Sequence, residues 1–217
     1  MEIELLGIKG FKEAIHGMRN PLNSWDKGDS YTSDFTNDTK EGFVFGKNDL
    51  DLAKRLANAG NEHGKFLRMI HVYADIDMPR YWWSEFDTYK FNTKNSCSTM
   101  HKLLNNDNEI TKDLFVYCEE DYDIVEIVVE RLENLRELFK VEKNNEIKER
   151  YLLRAKRLLM EGFLQLRTVD TNYAELRNAY HQRKHHRLKE EWIDIFCKFV
   201  ESLPYAEELI LNSSKEE

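Results

Sequence analysis

The sequence predicts an α+β protein, mostly helical and folded as a single domain over residues 1–217. Three observations lead there. Charged residues make up 33% of the chain while Gly and Pro number only 9 and 3, a balance that favours helix over turn-rich β architecture. Hydrophobic residues make up 41%, enough to fill a core. Two short segments with strand character precede a C-terminal half dominated by helical spacing.

The elements follow in order. Glu2 to Ile8 reads as a strand, and Phe11 to Met18 as a helix. Residues 19–47 are rich in Asn, Asp, Ser, Thr and Gly and read as a long loop, a length that is uncommon unless functional. Asn48-Asp49 reads as the N-cap of a helix that runs to Ala59 and ends at Gly60. Ile70 to Met78 alternates as a strand, and Pro79 starts a short aromatic helix over Arg80 to Phe86. Further on, Ile124, Ile127, Val128, Leu132, Leu135 and Leu138 mark one apolar helix face. A second helix is expected over Ile147 to Leu164, and a third around Leu176 and Tyr180. A fourth carries Trp192, Ile195, Phe196, Phe199 and Val200 and is closed by Pro204. Residues 212–217 read as a frayed tail.

The net charge of −8 argues against a whole-surface nucleic-acid binder, so any phosphate must meet a local basic cluster. Cys97, Cys118 and Cys197 are widely spaced and odd in number, which suits free thiols in a cytoplasmic protein. The acidic start MEIELLGIKG lacks the basic region of a secretion signal. No apolar run approaches the ~20 residues of a membrane span.

The chemistry concentrates after Trp82 and Trp83, where aromatics give way to the polar string Asp87–His101. A buried polar group left unpaired costs ~1–3 kcal/mol, so such a string suits a ligand site better than a core. The two tryptophans read as packing, one of them as a possible cleft wall.

The run from His63 through His101 resembles the signature region of the flavin-dependent thymidylate synthases. In that family a Gly-His opens the segment, and a strand ends in Pro. A short helix follows, and then the motif Arg-His-Arg-x-x-Ser-x-Asn-Glu-x-Ser-x-Arg-Tyr. Pro79 falls on the family proline and Phe86 on the aromatic before the motif. The motif positions are held by Thr88, Tyr89, Lys90, Thr93, Asn95, Ser96, Ser98 and Met100, and an upstream Glu-His pair falls on Arg68-Met69. Leu176-Arg177-Asn178, Arg183 and Glu191-Trp192 echo the family's C-terminal pattern, and Met18-Arg19-Asn20 its Ala-Arg-x-Cys.

The resemblance implies a central antiparallel or mixed sheet with helices, a homotetramer, and binding of FAD and a pyrimidine deoxynucleotide. It implies one-carbon transfer to C5 of dUMP or a related nucleotide, a methyltransferase-type reaction of dTMP biosynthesis. Methylenetetrahydrofolate and NADPH are needed only if the protein is active. It points to His63, Thr88, Tyr89, Lys90, Asn95 and Asn178 for the cofactor, to Thr93, Ser98 and Arg183 for the substrate, and to Ser98, Tyr89 and Lys90 for catalysis. Against this stands the loss of the motif's arginines. Met100 offers a phosphate neither charge nor donor, and Lys90 restores a point charge without the guanidinium fork. Tyr89 can stack on a flavin or base. The alternative is a non-catalytic or repurposed homologue, such as a nucleotide-binding or phage-related accessory protein. A third reading is a helical interaction protein that uses the Ile124–Leu164 helices.

Arg177, His181, Arg183, Lys184, His185, His186, Arg187 and Lys189 form a basic block in an acidic chain. Arg183 reads as functional from its register, whereas the rest reads as a solvated helix face. His181 and His185 have i, i+4 spacing, but no carboxylate or Cys completes a metal set, so no metal is expected. Cys97 has no His at a fixed close spacing to activate it as a nucleophile, and His63 serves equally well as a capping residue after Gly60.

Overall fold

In the computed structural model the described residues are 1–33, 42–105 and 107–212. The predicted frayed tail lies outside them beyond Asn212, as does part of the long loop. The α+β class holds. The strands are β1 (Glu2–Lys9), β2 (Tyr31–Thr32), β3 (Phe43–Val44), β4 (His71–Pro79), β5 (Thr93–Ser96) and β6 (Leu164–Asn172). The helices are α1 (Phe11–Arg19), α2 (Lys47–Asn58), α3 (Arg80–Phe86), α4 (Thr99–Lys102), α5 (Tyr122–Val141), α6 (Asn145–Leu158), α7 (Tyr173–Arg183) and α8 (Lys198–Glu201). One antiparallel sheet has the order β1-β4-β6-β5, and β2 pairs with β3 in a separate ribbon.

The chain divides into two compact units, each assembled from separated stretches. The first holds Met1, Asp77–Asp87 and Asn95–Arg167, and the second holds Glu2–Ile76, Thr88–Lys94 and Thr168–Glu217.

In the first unit, α5 and α6 pack around a core of Leu104, Phe115, Val125, Leu132, Leu135 and Ala155. The buried face of α5 is Val125, Val129, Leu132 and Leu135. The predicted face is therefore rotated, because Ile124, Ile127 and Leu138 are exposed. The helix has branched apolar residues on both sides, so spacing alone does not fix which side meets the core. Trp82 and Trp83 are fully buried, and Trp83 Nε1 donates to the Gln165 carbonyl at 2.8 Å. They are packing residues.

In the second unit, α1, α2, β4 and α7 enclose Phe11, Ile15, Leu67, Ile70, Val72, Val169, Tyr173 and Trp192. Phe11, Phe43, Phe45, Tyr173 and Tyr205 form an edge-and-face aromatic cluster with centroid spacings of 4.7–6.1 Å. Gly10 precedes α1 at φ 95, and a Cβ there would meet the Met69 carbonyl oxygen at 2.1 Å. Only glycine satisfies both demands.

Within the predicted loop, the described residues 19–33 and 42–47 are more ordered than predicted. Asn20–Leu22 and Trp25–Lys27 are 3-10 turns, and β2 and β3 follow. A buried ion pair holds this stretch. Arg19 Nε donates to Asp49 Oδ1 at 2.6 Å, and Asp49 Oδ2 accepts from the backbone N–H groups of Asp29 and Ser30. Asp49 is thus not a cap. Gly46 occupies the N-cap position, and Asp29 caps α2 from across the loop by accepting from the N–H groups of Asn48 and Asp49.

Two further expectations are corrected. The helix predicted to end at Leu164 stops at Leu158, and Leu164 opens β6. The alternation Leu164, Leu166, Thr168, Asp170 is strand spacing, hidden by the charged residues within it. The Trp192 helix is π-type over Lys189–Cys197 before α8 continues it.

Candidate functional site

The second unit contains a cavity of about 560 Å³. It forms where α2 ends. Gly60, at φ 100, turns the chain, and its carbonyl accepts from the N–H groups of His63 and Gly64. A 3-10 helix over Gly64–Met69 then brings Arg68 to the rim, opposite α7. Asn172 caps α7 by accepting from the Glu175 N–H at 3.0 Å. That start sets Arg177, Asn178 and His181 on the cavity face.

The polar lining is Asn58, Asn61, Arg68, Arg177, Asn178 and His181, with no carboxylate among the lining residues. Arg177 is anchored from behind. It donates to the Leu209 and Asn212 carbonyls and to Asn58 Oδ1, each at 2.8 Å, and burial pushes its pKa down. His181 lies 2.9 Å from the Ile210 carbonyl through Nε2, which ties it to the C-terminal segment.

Among the motif-aligned residues of this unit, Tyr89 is buried at 4% exposure, while Thr88, Lys90 and Thr93 are exposed. Arg183 Nε donates to the Tyr89 hydroxyl at 2.9 Å, and that hydroxyl donates to Gln182 Oε1 at 3.1 Å. The Arg183 guanidinium lies over the Trp192 ring at 4.5 Å. The structure therefore brings Tyr89 and Arg183 together, and Asn178 joins them through Gln182, whose Nε2 donates to Asn178 Oδ1 at 2.8 Å. His63 is exposed and stands one residue before the 3-10 helix.

Ser98 and Asn95 belong to the first unit. Asn95 is exposed on β5. Ser98 lines a second cavity of about 470 Å³ with Cys97, Thr99, Lys102, Ile110 and Phe163. Lys156 donates to the Thr99 hydroxyl, and burial, then the charge of Arg80, lowers its pKa.

Sequence reasoning missed four residues here. Arg68 carries charge at the larger cavity, Lys156 donates to Thr99 of the other, and Gln182 links Tyr89 to Asn178. Phe91 is a ring at 63% exposure with the Arg68 guanidinium 5.4 Å from its centroid. The available signal was an aromatic residue stranded inside a polar string. Among the described residues no His, Cys, Asp and Glu cluster could hold a metal ion. Among the described residues no helix is long and apolar enough to cross a membrane.

No family model and no curated protein matches the chain. Solved structures do. The flavin-dependent thymidylate synthase ThyX from Helicobacter pylori, complexed with FAD and dUMP, superposes with a TM-score of 0.69 at 18% identity, covering 97% of this chain and 98% of that one. A second structure of thymidylate synthase X from Helicobacter pylori, with FAD and dUMP, gives 0.69 at 17% identity, with 97% of each chain covered. The chain thus has the fold of the flavin-dependent thymidylate synthases.

Proposed function

We propose that this chain binds FAD and a pyrimidine deoxynucleotide and transfers a one-carbon unit to C5 of dUMP or a related nucleotide. Methylenetetrahydrofolate and NADPH serve as donor and reductant, and the protein works as a cytoplasmic homotetramer. The observation that carries the reading is the carboxylate-free, donor-rich cavity beneath Asn178 in a chain of this fold.

The residues suit the cofactor. The diphosphate of FAD is anionic and offers only acceptors, and the flavin ring adds carbonyl acceptors. Arg68, Arg177, Asn178 and Asn61 supply donors. Phe91 supplies an exposed aromatic face for a flat ring. When bound, reduced flavin supplies the hydride. The protein's own work is placement. Arg183, stacked on Trp192, holds a fixed positive charge for the nucleotide. Ser98 offers a hydroxyl at its cavity, whose lining carries Lys102 and the carboxylates Asp77, Glu109 and Asp113. Thr88, Lys90, Thr93 and Asn95 are exposed, and His63 stands beside the cavity turn, so each is reachable by a ligand.

A second reading, a nucleotide-binding or phage-related homologue without catalysis, is favoured by Met100. It is 55% exposed where the motif carries a phosphate-seeking arginine.

FAD titration followed by dUMP titration is the test. The purified protein is expected to bind FAD with a flavin absorbance band. R68A, at an exposed position, should weaken binding about 10- to 100-fold with an unchanged Tm, since a hydrogen bond to a charged group is worth ~1.5–3 kcal/mol. A protein that takes up no FAD sinks the proposal. One that binds both ligands but forms no dTMP with folate and NADPH supports the second reading.

A further inference from the structure

The Tyr89 hydroxyl stands between Arg183 and Gln182. Its ring is buried, its oxygen accepts from Arg183 Nε, and its proton goes to Gln182 Oε1. A guanidinium has donors only, so the Tyr89 oxygen accepts from it. The tyrosine hydroxyl in turn donates to Gln182 Oε1. That fixes the Gln182 amide, whose Nε2 donates to Asn178 Oδ1 one helical turn back on α7. Asn178, whose Oδ1 accepts this bond, is one of the residues that line the cavity.

We propose that Tyr89 is a positioning residue that sets the polarity of the cofactor site. It fixes Arg183 on one side and, through Gln182, imposes a donor face on Asn178 on the other. The site then selects ligands that present acceptors, such as a diphosphate or a ring carbonyl, and rejects groups that present N–H. Trp192, fully buried under the guanidinium, completes the clamp on Arg183. The ligand class rests on the FAD reading above, whereas the relay rests on the hydrogen bonds alone.

Y89F and Q182E separate the parts in the full-length protein. Y89F keeps the ring and removes the proton. Q182E keeps an acceptor for Tyr89 but cannot donate to Asn178. In the ligand-free protein, side-chain amide 1H–15N spectra should show the Asn178 NH₂ pair shifted and exchanging faster in both variants. With FAD as probe, each variant should bind about tenfold more weakly, the loss of one directed hydrogen bond. The double variant should be no weaker than either single one. An Asn178 pair unmoved by Y89F, or additive losses in the double variant, overturns the relay. If the wild type binds no FAD, the functional reading fails and the amide spectra alone decide the relay.

Discussion

Replacing Asp49 by Asn tests what holds residues 19–33 in place. Asp49 is 1% exposed and Arg19 6%, so neither is rescued by water. Oδ1 accepts from Arg19 Nε at 2.6 Å, and Oδ2 accepts from the Asp29 and Ser30 amides at 3.0 and 2.9 Å. These partners are all donors. An asparagine keeps one oxygen and turns an NH₂ either on the guanidinium or on the two amides, so donor faces donor in both rotamers. Removing one partner of a buried ion pair costs ~3–5 kcal/mol, because the other charge stays buried without its counterion. For a chain of this size that is a Tm lower by about 6–20 °C.

The pH dependence carries a sign. Burial acts to raise the Asp49 pKa, but the hydrogen bonds from Ser30, Arg19 and the Asp29 and Ser30 amides outweigh it and hold the carboxyl below its ordinary value. A depressed folded-state pKa gives stability that is present above the unfolded value and lost as pH falls through the folded one. Urea unfolding of the wild type should therefore lose stability steadily in the acid range, and D49N should lack that part of the slope. A D49N protein within ~1 kcal/mol of wild type at pH 7, with the same acid slope, refutes the account.

Two further outcomes are expected. G10A combines a left-handed backbone cost of ~1–2 kcal/mol with a Cβ 2.1 Å from the Met69 carbonyl oxygen, whereas a Cβ at Gly60, at φ 100, meets nothing within 4 Å. G10A should therefore destabilise more than G60A in denaturant titrations, and equal losses would count against the steric argument. With a thiol reagent at pH 8, Cys97 and Cys118, which are exposed, should react readily. Cys197, its thiol pushed up to about 12 by burial and then by the charge of Glu201, should react only on unfolding, and prompt labelling of three thiols in the native protein would contradict this.

The sequence is most legible where one residue type has one use. Pro79 at the start of α3, Gly60 after α2 and the alternation of β4 are read correctly because their reasons are local. The failures share a cause. Asp49 has the composition of an N-cap, yet its carboxylate is claimed by Arg19, thirty positions away, and the cap comes from Asp29. In β6 the strand period is masked by Gln165, Arg167 and Asp170, and Arg167 earns its place through Asp87 and the Trp83 ring. The α5 helix could turn either apolar side inward, and only the partner helix α6 decides. At the site, the register brought Tyr89, Asn178 and Arg183 to notice, but their linkage passes through Gln182, which no motif marks.

The charges at the site bear on whether the altered motif is decay or rebuilding. Random drift in a chain with 40 acids and 32 bases should scatter both signs around a disused cavity. The larger cavity instead gathers Arg68, Arg177 and His181 without one carboxylate in its lining. Arg68 stands where the resembled pattern has a glutamate, a swing of two charge units beside the position where arginines are missing. Arg177 is kept at half burial by three hydrogen bonds to Leu209, Asn212 and Asn58, against the desolvation that lowers its pKa. The proposed reading, an anionic ligand at the carboxylate-free cavity, makes Arg68 rather than Lys90 the residue whose loss should separate binding from stability.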